Sequence, residues 1–385
     1  MPTPPAALED ALSWLAAQRG PMVDLLRALV ERGSHTADPA GVAAVIAALE
    51  PVLGGAGLAC ERRPSARFGP HLAFRGAAAG APVLLVGHSD TVFPGETFSG
   101  FRVDGDRAFG PGVFDMKGGL VVMAFGLLAA ARAGGLARVP VAGMIVSDEE
   151  VGSPESQPLL RERARGAACA LVFESGRPGD AIVTRRKGVA SLRAEARGVA
   201  AHAGNEPERG RSAIWALARF VDRAQGLSDP ARGRSVNVGT FHGGTSKNTI
   251  PERAACDVDL RYLGAEDGRA LEAAVRDAAA GAALPGTTIE LVRGSVRAPL
   301  ERSPASAALA AEYGVSQEAC GLGSGEAPLA GGGSDANTTS EAGVPSIDGL
   351  GPRGSGYHTT AEEVDLGSLV PKAQALVRFL AGRAG

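Results

Sequence analysis

Cysteine is scarce in this chain and nowhere clustered. Cys60, Cys169, Cys256 and Cys320 are the only four, far apart and without a CxxC pair. That pattern excludes a disulfide framework and a thiolate zinc site, and leaves reduced, structural thiols. A block of Lys and Arg is also missing, and the net charge is −3, so no nucleic-acid partner is expected. The longest apolar run, Leu120 to Ala131, falls short of the ~20 residues that cross a bilayer, so no membrane partner is expected either. The start, Met1-Pro2-Thr3-Pro4-Pro5 with Glu9 and Asp10 close behind, has no basic head, apolar core or cleavage site. The expected location is cytoplasmic, or periplasmic for a chain trimmed of its leader.

What remains is an ordinary globular composition, 45% hydrophobic and 21% charged over 385 residues. At ~100–200 residues per domain this length suggests two domains. Helical periodicity spans about 9–32 and about 39–53, the second opened by Asp38-Pro39 in cap and first-turn positions. Strands are expected near 71–75, 82–87, 139–146 and 168–173, alternating with helices, one of which runs to about Arg132. That alternation argues for an α/β domain with a mostly parallel sheet flanked by helices. From about 187 the pattern becomes apolar/polar alternation, at 189–195 and in parts of 235–241 and 255–262, with amphipathic helices at about 211–224 and 266–280. The expectation is therefore an inserted α+β domain, antiparallel sheet plus two helices, over 187–294, and a first domain made of 1–186 and 295–385.

Chemistry gathers where the apolar runs end. Val83-Leu84-Leu85-Val86 leads through Gly87 to His88 and Asp90; Val139 to Val146 delivers Asp148-Glu149-Glu150; Ala168 to Phe173 delivers Glu174. Sites in α/β sheets form outside the carboxyl ends of the strands, so these side chains are expected in one cleft. Asp115, in a glycine-punctuated loop that opens a helix, and His358 complete the candidate ligands. Two histidines with several carboxylates and no thiolate suit a pair of zinc or similar divalent ions ~3.5–4 Å apart. Glu149 and Glu150 are neighbours whose side chains point apart, so one can bind metal while the other takes a proton from water. Asp90 is placed to orient the His88 ring. His35, His71 and His242 lack carboxylate neighbours at ligand spacing and read as ordinary residues, although His242 lies close enough to Asn248 to line a cleft.

Five motifs in register carry a resemblance: Gly87-His88-Ser89-Asp90-Thr91-Val92, Gly110-Pro111-Gly112 with Asp115-Met116-Lys117-Gly118-Gly119, Asp148-Glu149-Glu150-Val151-Gly152, Ala201-His202-Ala203-Gly204 and Gly356-Tyr357-His358. Together they resemble the M20 metallopeptidases, and within them the glutamate carboxypeptidase branch of carboxypeptidase G type, from about residue 80 onward. The resemblance implies two Zn2+ per subunit, with Co2+ or Mn2+ as substitutes. Asp115 would bridge both ions, His88 and Glu174 would complete one set of ligands, and Glu150 and His358 the other. It also implies Glu149 as general base, Asp90 as the partner of His88, and a bond after Asp115 that is often cis in the family. Glutamate at 174, where many dipeptidase and deacetylase relatives carry aspartate, points to the glutamate carboxypeptidase side. Met116 stands where some relatives have a second aspartate, so any role of that carboxylate is absent.

The same resemblance makes His202 an oxyanion donor reaching across a homodimer. Arg261 and Asn248 match family groups that hold the α-carboxylate of the product, Arg293 matches a position near the substrate side chain, and Gly333 offers backbone N–H donors ahead of a helix. The expected function is zinc-dependent release of a C-terminal amino acid with a free α-carboxylate, glutamate foremost, from a peptide or N-acyl amino acid. The alternatives are an N-acyl amino acid deacetylase of acetylornithine deacetylase type, a dipeptidase, and a ligand-binding relative without catalysis. A nucleotide-binding protein is disfavoured, since neither Gly110-Pro111-Gly112 nor Gly331-Gly332-Gly333 matches GxGxxG or a P-loop.

Overall fold

A computed structural model describes residues 5–384. The chain divides into two compact units. The first takes the chain up to Arg185, then Arg302–Ala330, then Ser334 onward; the second takes Arg186–Glu301 and Gly331–Gly333.

The first unit is built on a six-stranded sheet. Its named strands are β1 (Ala59–Arg63), β2 (His71–Arg75), β3 (Val83–His88), β4 (Val141–Val146) and β5 (Cys169–Val172), in the order β1-β2-β4-β3-β5 with Ser346–Ile347 at the far edge. β3 pairs in parallel with β4 and β5, and Ser346–Ile347 in parallel with β5, whereas β1 and β2 are antiparallel additions at the other edge. Every residue of β3, β4 and β5 is buried, which is why these strands read as continuous apolar runs.

Helices cover the sheet. The helix Gly118–Arg132, entered through the non-helical pair Asp115 and Met116, is the core helix: 89% of the most apolar 18-residue window of Val113–Arg132 is buried inside the protein. It packs at the end of β5 because residue 119 is glycine: a Cβ there would lie 1.9 Å from the Phe173 carbonyl oxygen. The helical pattern expected over 9–32 is two helices, Pro5–Ala16 and Arg19–Val30. Pro21 explains the break. It is tolerated in the first turn of the second helix, where its missing N–H costs nothing, but would clash inside a continuous one. Asp38 caps Pro39–Gly55 by accepting the Gly41 N–H at 3.1 Å. A small sheet that the sequence pattern did not announce joins Arg102–Asp104, Arg107–Phe109, Glu363–Asp365 and Gly354–Ser355, and sets the approach to Asp115 beside the segment around His358.

The second unit is an antiparallel sheet of β6 (Gly188–Arg197), β7 (Ser235–Gly243), β8 (Arg253–Tyr262) and β9 (Thr288–Arg297) in the order β7-β8-β6-β9. Burial alternates along β6 and β8, and the buried face packs against Ala213–Gln225 and Ala265–Ala282. β9 escapes a pattern search because its register shifts between Arg293 and Val296, around Gly294, which interrupts the alternation.

Asp180 is a buried hub of the first unit, its side chain 2% exposed. It accepts Arg353 Nε at 2.9 Å and Nη2 at 2.5 Å, takes the Gly323 N–H at 3.2 Å, and lies 3.4 Å from Lys372 Nζ, which is fully buried. Burial pushes its carboxyl up, but the Arg353 bonds and the Lys372 charge outweigh that and hold it below the usual carboxylate value. A carboxyl with a lowered folded pKa contributes stability that is present above the unfolded value of about 4 and lost as pH falls through the folded one. Asp180→Asn is therefore expected to cost about 3 kcal/mol at pH 7 in urea unfolding, because it strands Lys372, and the gap from the parent should close below about pH 4. A gap independent of pH would refute the ionic account.

Candidate metal centre

Three strand ends deliver side chains to one place. His88 is the last residue of β3, Glu149 and Glu150 follow β4 in a short turn, and Glu174 lies two residues beyond β5. Asp115 sits between two imidazoles: Oδ1 is 3.4 Å from His88 Nε2 and Oδ2 is 3.5 Å from His358 Nε2. Glu174 Oε1 is 3.8 Å from His88 Nε2, and Glu150 Oε2 is 3.3 Å from His358 Nε2. The ligand atoms of His88, Glu149 and Glu174 lie within 4.8 Å of one another, as do those of His88, Asp115 and Glu150. All six candidate ligands are thus brought together in the first unit. The Asp115–Met116 peptide bond is cis.

Asp90 lies against the His88 ring and does more besides. The His88 Nδ1 lies 3.0 Å from the backbone carbonyl of Asp90 and 3.5 Å from its carboxylate, so the carbonyl is the nearer partner that leaves Nε2 facing Asp115. The Asp90 carboxylate also accepts the backbone N–H of Glu149 and of Glu150, both at 3.2 Å, and the Thr36 hydroxyl at 2.8 Å. It holds the glutamate pair as well as the histidine. Asp148 Oδ2 fixes the other end of that turn by accepting Glu155 N at 2.8 Å and Ser156 N at 3.1 Å.

His358 has φ +62, a left-handed conformation that few non-glycine residues adopt and that concentrates at functional sites. Two further buried groups, missed in the sequence, support the Asp115 loop. Glu362 accepts the N–H groups of Gly112, Phe114 and Asp115. Lys117, 1% exposed, donates to the Arg32 carbonyl at 3.2 Å. Thr36, Lys117 and Glu362 lie outside any hydrophobic period, so only the fold reveals their partners.

Electrostatics define what the cleft can hold. Burial raises Glu174 to about 7 and also raises Glu150. Hydrogen bonds to Asp115 and Glu150 push His358 up to about 10; at His88 burial opposes protonation, but the Glu174 charge and the bonds to Asp115 and Asp90 win and raise it. Asp115 is held far below the usual carboxylate value, since the two imidazoles outweigh its burial. A crowd of carboxylates around two imidazoles thus demands positive charge. Among the buried oxygens without a hydrogen bond of good geometry are Asp115 Oδ1, which meets His88 Nε2 only at 3.4 Å, and Glu150 Oε1. Orphaned carboxylate oxygens beside imidazole nitrogens, with no thiolate, form a donor set that fits divalent ions of the zinc type.

The remaining expected residues lie in the second unit. His202 is exposed, and its Nδ1 accepts the N–H of Gly204 and of Asn205, both at 3.1 Å. The other nitrogen, Nε2, is thereby left as the proton-bearing donor. Asn248 is its neighbour: Thr249 pairs with His202, and the Asn248 carbonyl accepts the Ala203 N–H at 2.9 Å. Arg261 is already engaged, with Nε and Nη2 on Asp259 at 2.7 and 2.9 Å, and Arg293 likewise reaches Glu272 with Nη2 at 2.8 Å. Gly333 precedes a helix of seven residues, Asp335–Glu341, whose first-turn N–H at Ala336 is taken by the Ser334 side chain.

Residues 184–287 match the family model described as a peptidase dimerisation domain. Over 366 residues the chain is 29% identical to carboxypeptidase G2 of Pseudomonas sp. (strain RS-16), covering 93% of this chain and 88% of that one. It is 31% identical to succinyl-diaminopimelate desuccinylase of Paracoccus denitrificans over 280 residues, 66% of this chain and 70% of the relative. An M20 family metallo-carboxypeptidase from Sulfolobus solfataricus shares its fold, with a TM-score of 0.76 at 17% identity over 94% of this chain and 98% of that one. The site and these likenesses define a metal-dependent hydrolase. The chain belongs to the M20 family of metallopeptidases.

If the cleft binds metal, a chelator removes a large stabilising term. Zinc at about a hundredfold over its dissociation constant is expected to restore about 3 kcal/mol of unfolding free energy to stripped protein. Identical thermal unfolding of stripped and zinc-treated protein would rule out this cleft as a metal centre.

Proposed function

We propose that this protein hydrolyses the amide bond that joins a C-terminal amino acid with a free α-carboxylate, glutamate foremost, to a peptide or acyl group, using two Zn2+ per subunit. The observation that carries the reading is the Asp115 carboxylate with one oxygen toward each imidazole. His88 and Glu174 would hold one ion, Glu150 and His358 the other, and Asp115 both; cobalt or manganese would serve in place of zinc. The chemistry that bound ions supply here is polarisation of the scissile carbonyl and acidification of a water.

The chain's own groups do the rest. Glu149, presented on a turn pinned by Asp90, takes the proton of the attacking water and returns it to the leaving amine. His202 donates from Nε2 to the developing oxyanion, its tautomer set by the two backbone N–H groups on Nδ1. Asn248 and Arg261 hold the α-carboxylate, with Gly333 supplying a backbone N–H and Arg293 facing the substrate side chain. Similarity to carboxypeptidase G2 over nearly the whole chain supports the carboxypeptidase reading.

A second reading has its own observation. Arg261 and Arg293 are each paired with a carboxylate, so a product glutamate must displace Asp259 or Glu272. An N-acyl amino acid deacetylase or a dipeptidase whose released amino acid lacks a side-chain carboxylate asks less of Arg293. The discriminating assay is a panel of N-acyl amino acids and dipeptides, including benzoyl-glutamate, with stripped enzyme and added zinc. Zinc-dependent release of glutamate ahead of other amino acids is expected; no release from any amide would overturn the hydrolytic reading. On the best substrate, Glu149→Gln should keep its metal and lose about 10²–10⁴-fold in kcat, while Arg261→Ala should chiefly raise KM. Near-parental kinetics in either variant would strike that residue from the mechanism.

The working form we assign is a homodimer. β7 is an edge strand whose residues 239–243 are exposed, Phe241 among them, which leaves a backbone edge for a second copy. His202 then serves the partner's metal centre. Subunit mixing tests both points: His202→Ala and Glu149→Gln proteins, each inactive alone, should regain activity after co-refolding, because the mixed dimer keeps one complete site. Continued inactivity of a verified mixed dimer would place His202 in its own subunit's chemistry or outside it.

A further inference from the structure

Glu362 has no part in the chemistry described above, yet it is fully buried, at 0% exposure. Its Oε1 accepts the N–H of Phe114 and of Asp115, both at 2.8 Å, and its Oε2 accepts the N–H of Gly112 at 2.9 Å. Those three donors lie on the loop that carries Asp115. Gly112 has φ +72, so the loop turns its amides inward, where a carboxylate, an acceptor at both oxygens, can satisfy several at once.

The other end of the same residue closes the turn that carries His358. The Glu362 N–H donates to the Thr359 carbonyl at 3.1 Å, and Thr359 donates to the Gly356 carbonyl from its N–H at 3.0 Å and its hydroxyl at 2.7 Å. One residue further on, Glu363 pairs with Phe109, which precedes the glycine-punctuated loop. A single residue, by its side chain and its backbone N–H, thus ties together two segments some 250 residues apart in sequence, each presenting a side chain to the same cleft.

We propose that Glu362 is a positioning residue that sets the spacing between Asp115 and His358, and through it the affinity for the ion those two side chains share. This rests on the reading of Asp115 and His358 as metal ligands. A glutamine at 362 would keep one acceptor oxygen but turn an NH2 donor toward one or more of the loop's amides, loosening the loop without emptying the space. A brace of the fold alone would lower stability and leave relative metal affinities unchanged; a spacing device acts on one ion more than the other.

The test is zinc binding by stripped full-length protein in competition with a chromophoric chelator, read as the number of ions and their two affinities, with thermal unfolding of the stripped proteins alongside. The parent should bind two ions. Glu362→Gln should weaken one of them about 10- to 100-fold while the other changes less. Parental affinities for both ions, or equal weakening of both together with a lower stripped-state midpoint, would overturn the proposal. Asp115→Asn is the control for the reading beneath it: if that variant binds two ions like the parent, the ligand assignment fails, whatever Glu362 does. Should Glu362→Gln not fold, Glu362→Asp, which keeps both acceptor oxygens on a stem one methylene shorter, answers the same question by the same two affinities.

Discussion

The constraint on which the first unit depends is the concentration of carboxylates at the carboxyl ends of its strands. Asp90, Asp115, Glu150, Glu174 and Glu362 lie close to one another with little or moderate exposure, and two imidazoles are too few to balance them. Ions withdrawn from water cost several kcal/mol each unless bonded or paired. The fold meets that cost in two ways. Two carboxylates are bonded at both oxygens by backbone N–H donors, Asp90 by the Glu149 and Glu150 amides and Glu362 by the Asp115 loop. Those aimed at the imidazoles keep orphaned oxygens, at Asp115 and Glu150. Saturated carboxylates build the scaffold, and unsaturated ones make the demand for a cation.

That division also explains what could be read from the chain. The strands ending at His88, Glu149-Glu150 and Glu174 are buried on both faces, so each appears as an apolar run, and the polar residue that stops the run is the one the sheet presents. Asp115 follows no such run and is legible from the glycine-punctuated loop that opens a helix, whereas His358 has no local element to announce it and joins the set by its residue type, its pairing with the others resting on motifs that resemble a family. The supports were not legible at all. Thr36 and Glu362 touch residues 54 and some 250 positions away, and nothing local marks a residue whose partners are backbone amides of a distant loop.

The second unit shows a different limit. Its amphipathic strands and helices were visible by period, but β9 was hidden by the shift at Gly294. Arg261 and Arg293 were recognisable as arginines on strands, while their pairing was not anticipated. For Arg261 the signal existed, because Asp259 lies two residues earlier on the same strand and so on the same face. For Arg293 it did not: Glu272 comes from a helix, and only tertiary packing joins them.

The same pairing bears on how specificity arises. On the proposed reading, the Arg261 guanidinium is held in place by Asp259, and a substrate carboxylate would compete for its N–H groups with one that is permanently tethered. Discrimination then rests on the difference between two carboxylates in one fork, and a second contact must tip the exchange. Asn248 lies beside His202 through the Thr249 pairing. A product whose α-carboxylate reaches Asn248 would, on that same proposed reading, be aligned with His202 by the same short ladder, so that selecting the free carboxylate and orienting the scissile bond would become one event.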